Sequence, residues 1–303
     1  FSLDNTAFVI GNGADSDNRS DALVVKFNGD ATLAGSMTAT SFIGDGSQLT
    51  NLPSSGTDSP FSYNSNEAGG IEVADYTTAS GSRAFAVGND NLASGSSSTA
   101  MGRGTIASGD DSTALGANTE ASGYASTAMG VETTASGYYS TAMGYQSTAS
   151  GDVSTAMGYS TTASGQYSTA IGMATTASGN YSTAMGYYTN ASGSVSTAMG
   201  YQSTASGSVS TAMGWQTTAS DRSSLVIGQY NLLGSTVTNS ATDFSTDNTA
   251  FVIGNGADSN NRSDALVVKF SGDATLSGSM TATSFIGDGS QLTNLTFSYN
   301  SNE

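Results

Sequence analysis

The tripeptide Ala-Ser-Gly begins at Ala79 and recurs at Ala93, Ala107, Ala121, Ala135, Ala149, Ala163, Ala177, Ala191 and Ala205, and the spacing is always fourteen. An eleventh copy is altered to Ala219-Ser220-Asp221. A second element, Ser-Thr-Ala-Met-Gly, lies between the copies, as at Ser126–Gly130, Ser140–Gly144 and Ser154–Gly158. The common helical repeats are far longer than fourteen residues and do not hold Gly at two fixed positions. Two Gly-centred turns and two short strands per unit predict one coil of a β-solenoid.

Alternation along a strand assigns the faces. In the first strand of a coil, Ser140 and Ala142 share one side, while Tyr139, Thr141 and Met143 share the other. In the second, Ser147 and Ala149 face one way, and Thr148 and Ser150 the other. The small residues suit a thin lumen. The outer face of the first strand then carries an apolar column of Met101, Leu115, Met129, Met143, Met157, Ile171, Met185, Met199 and Met213, flanked by Tyr139, Val153, Tyr167, Tyr181, Val195 and Val209. An Ala/Ser lumen buries little apolar area, so one chain alone is expected to be marginal. A stripe of this length exceeds what a soluble monomer tolerates. Identical chains packing around one axis would cover it; a single chain with the Met column as its own core is the other arrangement the pattern permits.

The unit Ser140–Gly151, Ser-Thr-Ala-Met-Gly-Tyr-Gln-Ser-Thr-Ala-Ser-Gly, resembles the YadA-like head repeat of trimeric autotransporter adhesins. Thr141 and Met143 stand where that family usually has Val and Ile. The resemblance covers residues 71–228 and implies an all-β, left-handed parallel β-roll, a homotrimer, and an adhesive role at the cell surface. The trimer number and the hand come from the resemblance alone.

Residues 1–52 recur at 244–295 with four differences, Leu3/Thr246, Asp17/Asn260, Asn28/Ser271 and Ala34/Ser277. Phe61–Glu67 returns as Phe297–Glu303. The expected organisation is a connector at 1–60, a lead-in at 61–70, a head of eleven repeats at 71–228, a linker at 229–243, a second connector at 244–296, and the start of a further head at 297–303. Such duplication fits trimeric modules joined head to tail in an extracellular filament. Within each connector, Thr6–Gly11, Ala22–Phe27 and Ser41–Ile43 read as β-rich runs between Gly, Asp and Asn turns. Gly44–Leu52 resembles a connector motif of phage tail fibres and bacterial surface fibres, which makes a tail-fibre shaft or receptor-binding segment the alternative reading.

Composition excludes much chemistry. With neither His nor Cys, Ser–His and Cys–His nucleophile arrangements cannot form. No acidic residue occupies the same column in two successive coils of the head, so paired carboxylates for glycoside cleavage are absent from the repeat pattern. Gly11-Asn12-Gly13 lacks the third Gly and the following helix of a dinucleotide loop. No enzyme activity and no cofactor are expected. The net charge of −17 repels phosphate backbones, so no nucleic-acid partner is expected. No apolar run reaches the roughly 18 residues of a membrane span.

Three binding possibilities remain. Asp15, Asp17 and Asp21, with Asp258 and Asp264 in the second copy, are weak calcium candidates, because Lys26 stands where a twelfth-position ligand would be needed. Tyr145, Tyr159, Tyr187, Tyr201 and Trp215 form a column after the first turn that would either face a glycan or protein receptor or stack ring on ring. The outer Thr and Ser columns, from Thr134 and Ser136 to Thr218 and Ser220, form a lattice of the kind seen in ice-binding solenoids, interrupted by Leu92, Ile106, Glu120 and Asn190.

Overall fold

The computed structural model describes residues 2, 4–34, 62–63, 71–73, 76–233, 241–284 and 286. The expected Ser41–Ile43 run, the Gly44–Leu52 motif, residues 234–240 of the linker and the start of a further head at 297–303 lie outside the described residues. Two compact units result, Phe1–Gly56 and Thr57–Glu303.

The larger unit is a parallel β-solenoid of eleven turns, and no helix occurs among the described residues. A coil holds one strand of five residues, such as Thr141–Tyr145, and one of two, such as Thr148–Ala149. Like residues stack in register from coil to coil: Met143 opposite Met157, Gly144 opposite Gly158, Tyr145 opposite Tyr159, Thr148 opposite Thr162. The short strands make an 11-stranded sheet, and the long strands form the body of a 16-stranded one.

Strand alternation decides what goes inside. Ala142 and Ala149 are fully buried, Ser140 and Ser147 nearly so, and the same four columns run the length of the roll. The Met column is outside, which removes the arrangement in which it forms a single chain's core. The lumen is an unusual core. The hydroxyls of Ser140, Ser154, Ser168 and Ser182 find no protein partner, whereas Thr161 donates to Ser147 Oγ at 2.9 Å and Ser147 to the Gly158 carbonyl at 3.0 Å. Each unpartnered buried hydroxyl costs about 1–3 kcal/mol, so the roll is held chiefly by its ladders of backbone bonds.

The turns differ from expectation in one respect. Gly occupies the corners, but the left-handed residue lies two positions after each Gly: Gln146 has φ 52° and Val153 φ 55°. Glycine is required at the corners for close approach. A Cβ on Gly158, itself at φ 133°, would overlap the carbonyl oxygen of Gly172 in the next coil. Tyr139 and Val153, assigned by alternation to the strand's outer face, therefore sit in the turn before it. Val153, Val195 and Val209 hold a conformation that β-branched residues rarely adopt. The Val153 N–H donates to the Tyr138 carbonyl of the preceding coil at 2.7 Å, which helps fix it there.

The roll does not stop at 228. The strand Leu225–Gln229 pairs in parallel with Thr249–Asn255 of the second connector, Val226 opposite Val252 and Ile227 opposite Ile253. Asp264–Lys269 and Ala274–Leu276 then add antiparallel strands. Val226 and Val252, both nearly fully buried, continue the lumen's Ala column with larger side chains, and Val267 packs against them. Two substitutions in the repeat mark this end. Asp221 occupies the Gly corner position, and its Oδ2 accepts the Thr249 N–H at 2.9 Å. Asn231 follows Thr217 in the buried hydroxyl column; its Oδ1 accepts the Thr218 N–H at 2.7 Å, taking the place of a further coil's carbonyl.

The smaller unit is a three-stranded antiparallel sheet of Thr6–Gly11, Asp21–Lys26 and Ala31–Leu33. The second strand begins one residue before the expected run, and the third was not expected. Its register, Phe8 opposite Val25, Val9 opposite Val24 and Ile10 opposite Leu23, is repeated in the second copy.

Candidate functional site

The long strands present the apolar column outward. Met101, Met129, Ile171 and Met213 are between 37% and 39% exposed within one chain, and Leu115, Met143, Met157, Met185 and Met199 are half-buried. Register extends the column by two residues that keep the fourteen-residue period and one that does not. Val87 precedes Met101, while Ile227 and Ile253 follow Met213. The last step crosses from the roll into the second connector, where the fourteen-residue interval breaks and sequence spacing loses the column. Exposed Tyr139, Val153, Tyr167, Tyr181, Val195 and Val209 border it, and the Tyr167 and Tyr181 rings stack at 4.9 Å.

The second column also falls where expected, but its ring faces are occupied. Tyr145 and Tyr159 stack at 5.1 Å, Tyr187 and Tyr201 at 5.0 Å, and Tyr201 and Trp215 at 3.9 Å. Met173 stands in register between Tyr159 and Tyr187 and divides the column into two runs. Trp215 Nε1 donates to the Tyr230 hydroxyl at 2.8 Å. What the column offers outward is ring edges and hydroxyls. Burial by its neighbours raises the Tyr187 pKa, and Tyr188 and Tyr201 add to the effect.

Polar ladders line the corners, and alternation had not shown them. The Asp152 carboxylate accepts the Tyr138 N–H of the coil before it at 3.1 Å, and Asp110 and Asn180 do the same for Ser96 and Gln166. Gln146 donates to Glu132 at 2.7 Å and Gln216 to Gln202 at 2.6 Å. The sequence signal was a side-chain acceptor directly after the second Gly. The outer hydroxyl lattice is in place, with Thr148 and Thr162 half-buried and in register.

The connector acids do not converge: among the described residues no three acidic side chains form a cation-holding group. Asp15 instead caps its own turn, accepting the N–H groups of Asp17 and Asn18 at 2.9 Å each. Asp258 caps the equivalent turn through Asn260 and Asn261. These bonds favour the charged form and lower both pKa values, led by the Asp17 amide for Asp15 and by the Asn261 side chain for Asp258. Asp264 differs. It accepts the Leu232 N–H at 3.0 Å, and burial raises its pKa against that bond.

Stacked fourteen-residue coils with a small-residue lumen, Gly corners and an outward apolar column define a class, the repeat β-rolls. Within it, the two-copy YadA head domain repeat matches residues 93–119, 121–147, 135–161, 149–175, 163–189, 177–203, 191–215 and 205–231. Residues 93–231 are a YadA-like head β-roll. No curated protein matches the chain.

Proposed function

We propose that this chain is a segment of a non-enzymatic, adhesive extracellular fibre. Three copies pack their Met columns around one axis in left-handed rolls, and the modules repeat head to tail. The observation that carries the reading is the apolar column from Val87 to Ile253. It is continuous in register, lies outside the lumen, and is only half covered within one chain. Full burial of a Met, Ile or Leu side chain is worth about 1.5–3 kcal/mol. Because these are already at least half covered within one chain, sealing the rest adds roughly 0.5–1 kcal/mol each, a gain that accumulates along the column and offsets the poor apolar yield of an Ala/Ser lumen. The YadA head repeat supports a surface adhesin. The ring edges of Tyr145, Tyr159, Tyr187, Tyr201 and Trp215 remain outside such a core and are the face for a surface receptor or glycan.

Light scattering on the purified chain tests the trimer: three times the chain mass is expected, and a stable soluble monomer contradicts it. Met157→Asp should abolish the assembly, because three carboxylates would meet in a dry core, while Thr162→Asp on the hydroxyl face leaves it intact. Equal losses from the two would show the wrong face had been chosen. In micrographs of the parent fibre, modules should recur about 80–130 Å apart, from about 4.8 Å per coil plus the connector.

A further inference from the structure

We propose that the exposed edge of Thr6–Gly11 in the first connector is a docking surface for the last coil of another β-roll of this kind. The element it takes up is a segment equivalent to Leu225–Leu232. This deepens the tandem-module reading, and it rests on that reading in requiring a roll ahead of the first connector.

The argument is an internal comparison. The two connectors share sequence, register and turn bonds, down to Ser20 donating to Asn12 and Ser263 to Asn255, both at 2.7 Å. They differ in what lies on the first strand. In the second connector that strand is covered by Leu225–Gln229, and Val252 is 3% exposed. In the first, Thr6–Gly11 is the edge of its sheet among the described residues, and Val9 at the same position is 42% exposed, beside Phe8 at 54% and Ile10 at 47%. An apolar edge strand of this kind is otherwise an aggregation hazard.

The recess beside the edge is shaped for the same visitor. Gly11, Gly13, Asp15, Arg19, Ser20 and Asp21 line an open space of about 290 Å³. Their counterparts hold the segment that leaves the roll. Gln229 Nε2 donates to the Gly256 carbonyl at 2.9 Å, and the Ser263 N–H donates to the Tyr230 carbonyl at 3.1 Å. The Arg262 guanidinium lies 5.7 Å from the Tyr230 ring centre and donates to the Asn231 carbonyl at 3.2 Å. Asp264 accepts the Leu232 N–H. Every one of these connector groups recurs in the first copy, as Gly13, Ser20, Arg19 and Asp21. The surface therefore selects a Gln-Tyr-Asn-Leu exit from a β-roll by backbone pairing, one ring and one carboxylate.

The test extends the 303-residue chain at its N-terminus with a second copy of residues 71–243 and follows cleavage by an arginine-specific protease. In the unextended chain, Arg19 should be cut far faster than Arg262, its covered counterpart. The extension should slow cutting at Arg19 at least about tenfold, toward the Arg262 rate. Tyr230→Ala with Asn231→Ala in the added copy alone should restore fast cutting. Unchanged cutting at Arg19 overturns the proposal. So does an Arg19 already protected in the unextended chain, since another occupant, such as a second copy's edge, would then hold the surface. The circular dichroism β-signal reports whether the added roll folds. Because the connectors are near-identical, a roll that folds ahead of residue 244 but not ahead of residue 1 also counts against docking. Light scattering on the same sample separates the readings: protection of Arg19 in a monomer removes the trimer and leaves the docking.

Discussion

The two connectors are one sequence in two settings. Their antiparallel strands pair in the same register with bulges at the same places, and their Asx turns are capped by the same bonds. Local chemistry therefore builds the hairpin in both. Burial diverges: Phe8, Val9 and Ile10 are exposed in the first copy, while Phe251 and Ile253 are half-buried and Val252 is buried in the second. The cause is a neighbour, the last coil of the roll, which uses the connector's first strand as the next layer of its own sheet. The difference teaches that the same hairpin is an end cap in the second copy, where its apolar strand forms the roll's last parallel layer, and carries that strand exposed in the first.

The largest expected effect comes from a charge on that strand. Val252→Asp should destabilise the roll's end by about 3–5 kcal/mol, since it buries a carboxylate beside Val226 and Val267. Val9→Asp should shift stability by less than about 1 kcal/mol. Denaturant midpoints for the two variants measure the contrast directly, and similar shifts would break the comparison.

Next is Asp221→Ala, which removes the acceptor of the Thr249 N–H from a fully buried corner. A loss of about 1–3 kcal/mol is expected, seen as faster amide exchange across 249–255 and none across 6–12. Asp221→Asn, which keeps an acceptor, should recover part of it. Smaller again is Arg262→Ala, which forfeits bonds to the Gln216 and Asn231 carbonyls and should lower the melting temperature by a few degrees, with a stability loss of about 1–2 kcal/mol. Arg19→Ala should do nothing measurable.

The smallest effect is in pH. Asp15 and Asp258 both have lowered pKa values, so each contributes stability that is lost as pH falls through the folded-state value. Because the same effect acts in both connectors, it drops out of their comparison. Asp264 has the opposite sign: its raised pKa means the folded state binds a proton more readily, so its contribution becomes more favourable as pH falls through that value. Asp264→Asn should remove this acid-side gain from the second connector. Melting curves of that variant and the parent against pH would show it, and identical pH profiles would contradict it.

Much of the roll was legible because it is a repeat. Alternation separated Ser140, Ala142, Ser147 and Ala149 from Met143, the small size of the first set pointed it at a thin lumen, and the observed burial decides for that phase over the one with Met inside. The corners themselves were less legible. Nothing in the residue types of Gln146 or Val153 announces a left-handed φ; coil stacking imposes it, by making Gly necessary at the corner and passing the turn's conformational demand to the residue two places on. Ile227 still keeps the fourteen-residue interval after Met213, but the step on to Ile253 was hidden by a broken interval, although Asp221 in place of Gly already marked where the regular corners stop. The aromatic column is legible in the sequence, but ring-on-ring stacking and an open binding face share that pattern, and only the ring separations of 3.9–5.1 Å decide for stacking. The connector's edge was invisible to sequence, because two near-identical segments cannot report different neighbours.

The central claim, that the roll's last coil claims the connector strand as its next layer, is tested most directly by amide hydrogen exchange in the unaltered chain. Peptides covering 3–12 and 246–255 can be told apart by Leu3 and Thr246. The account predicts that amides of 251–255 exchange at least about tenfold more slowly than those of 8–12, because only the former are sealed under a second ladder. Equal rates in the two segments, whether both fast or both slow, would contradict it.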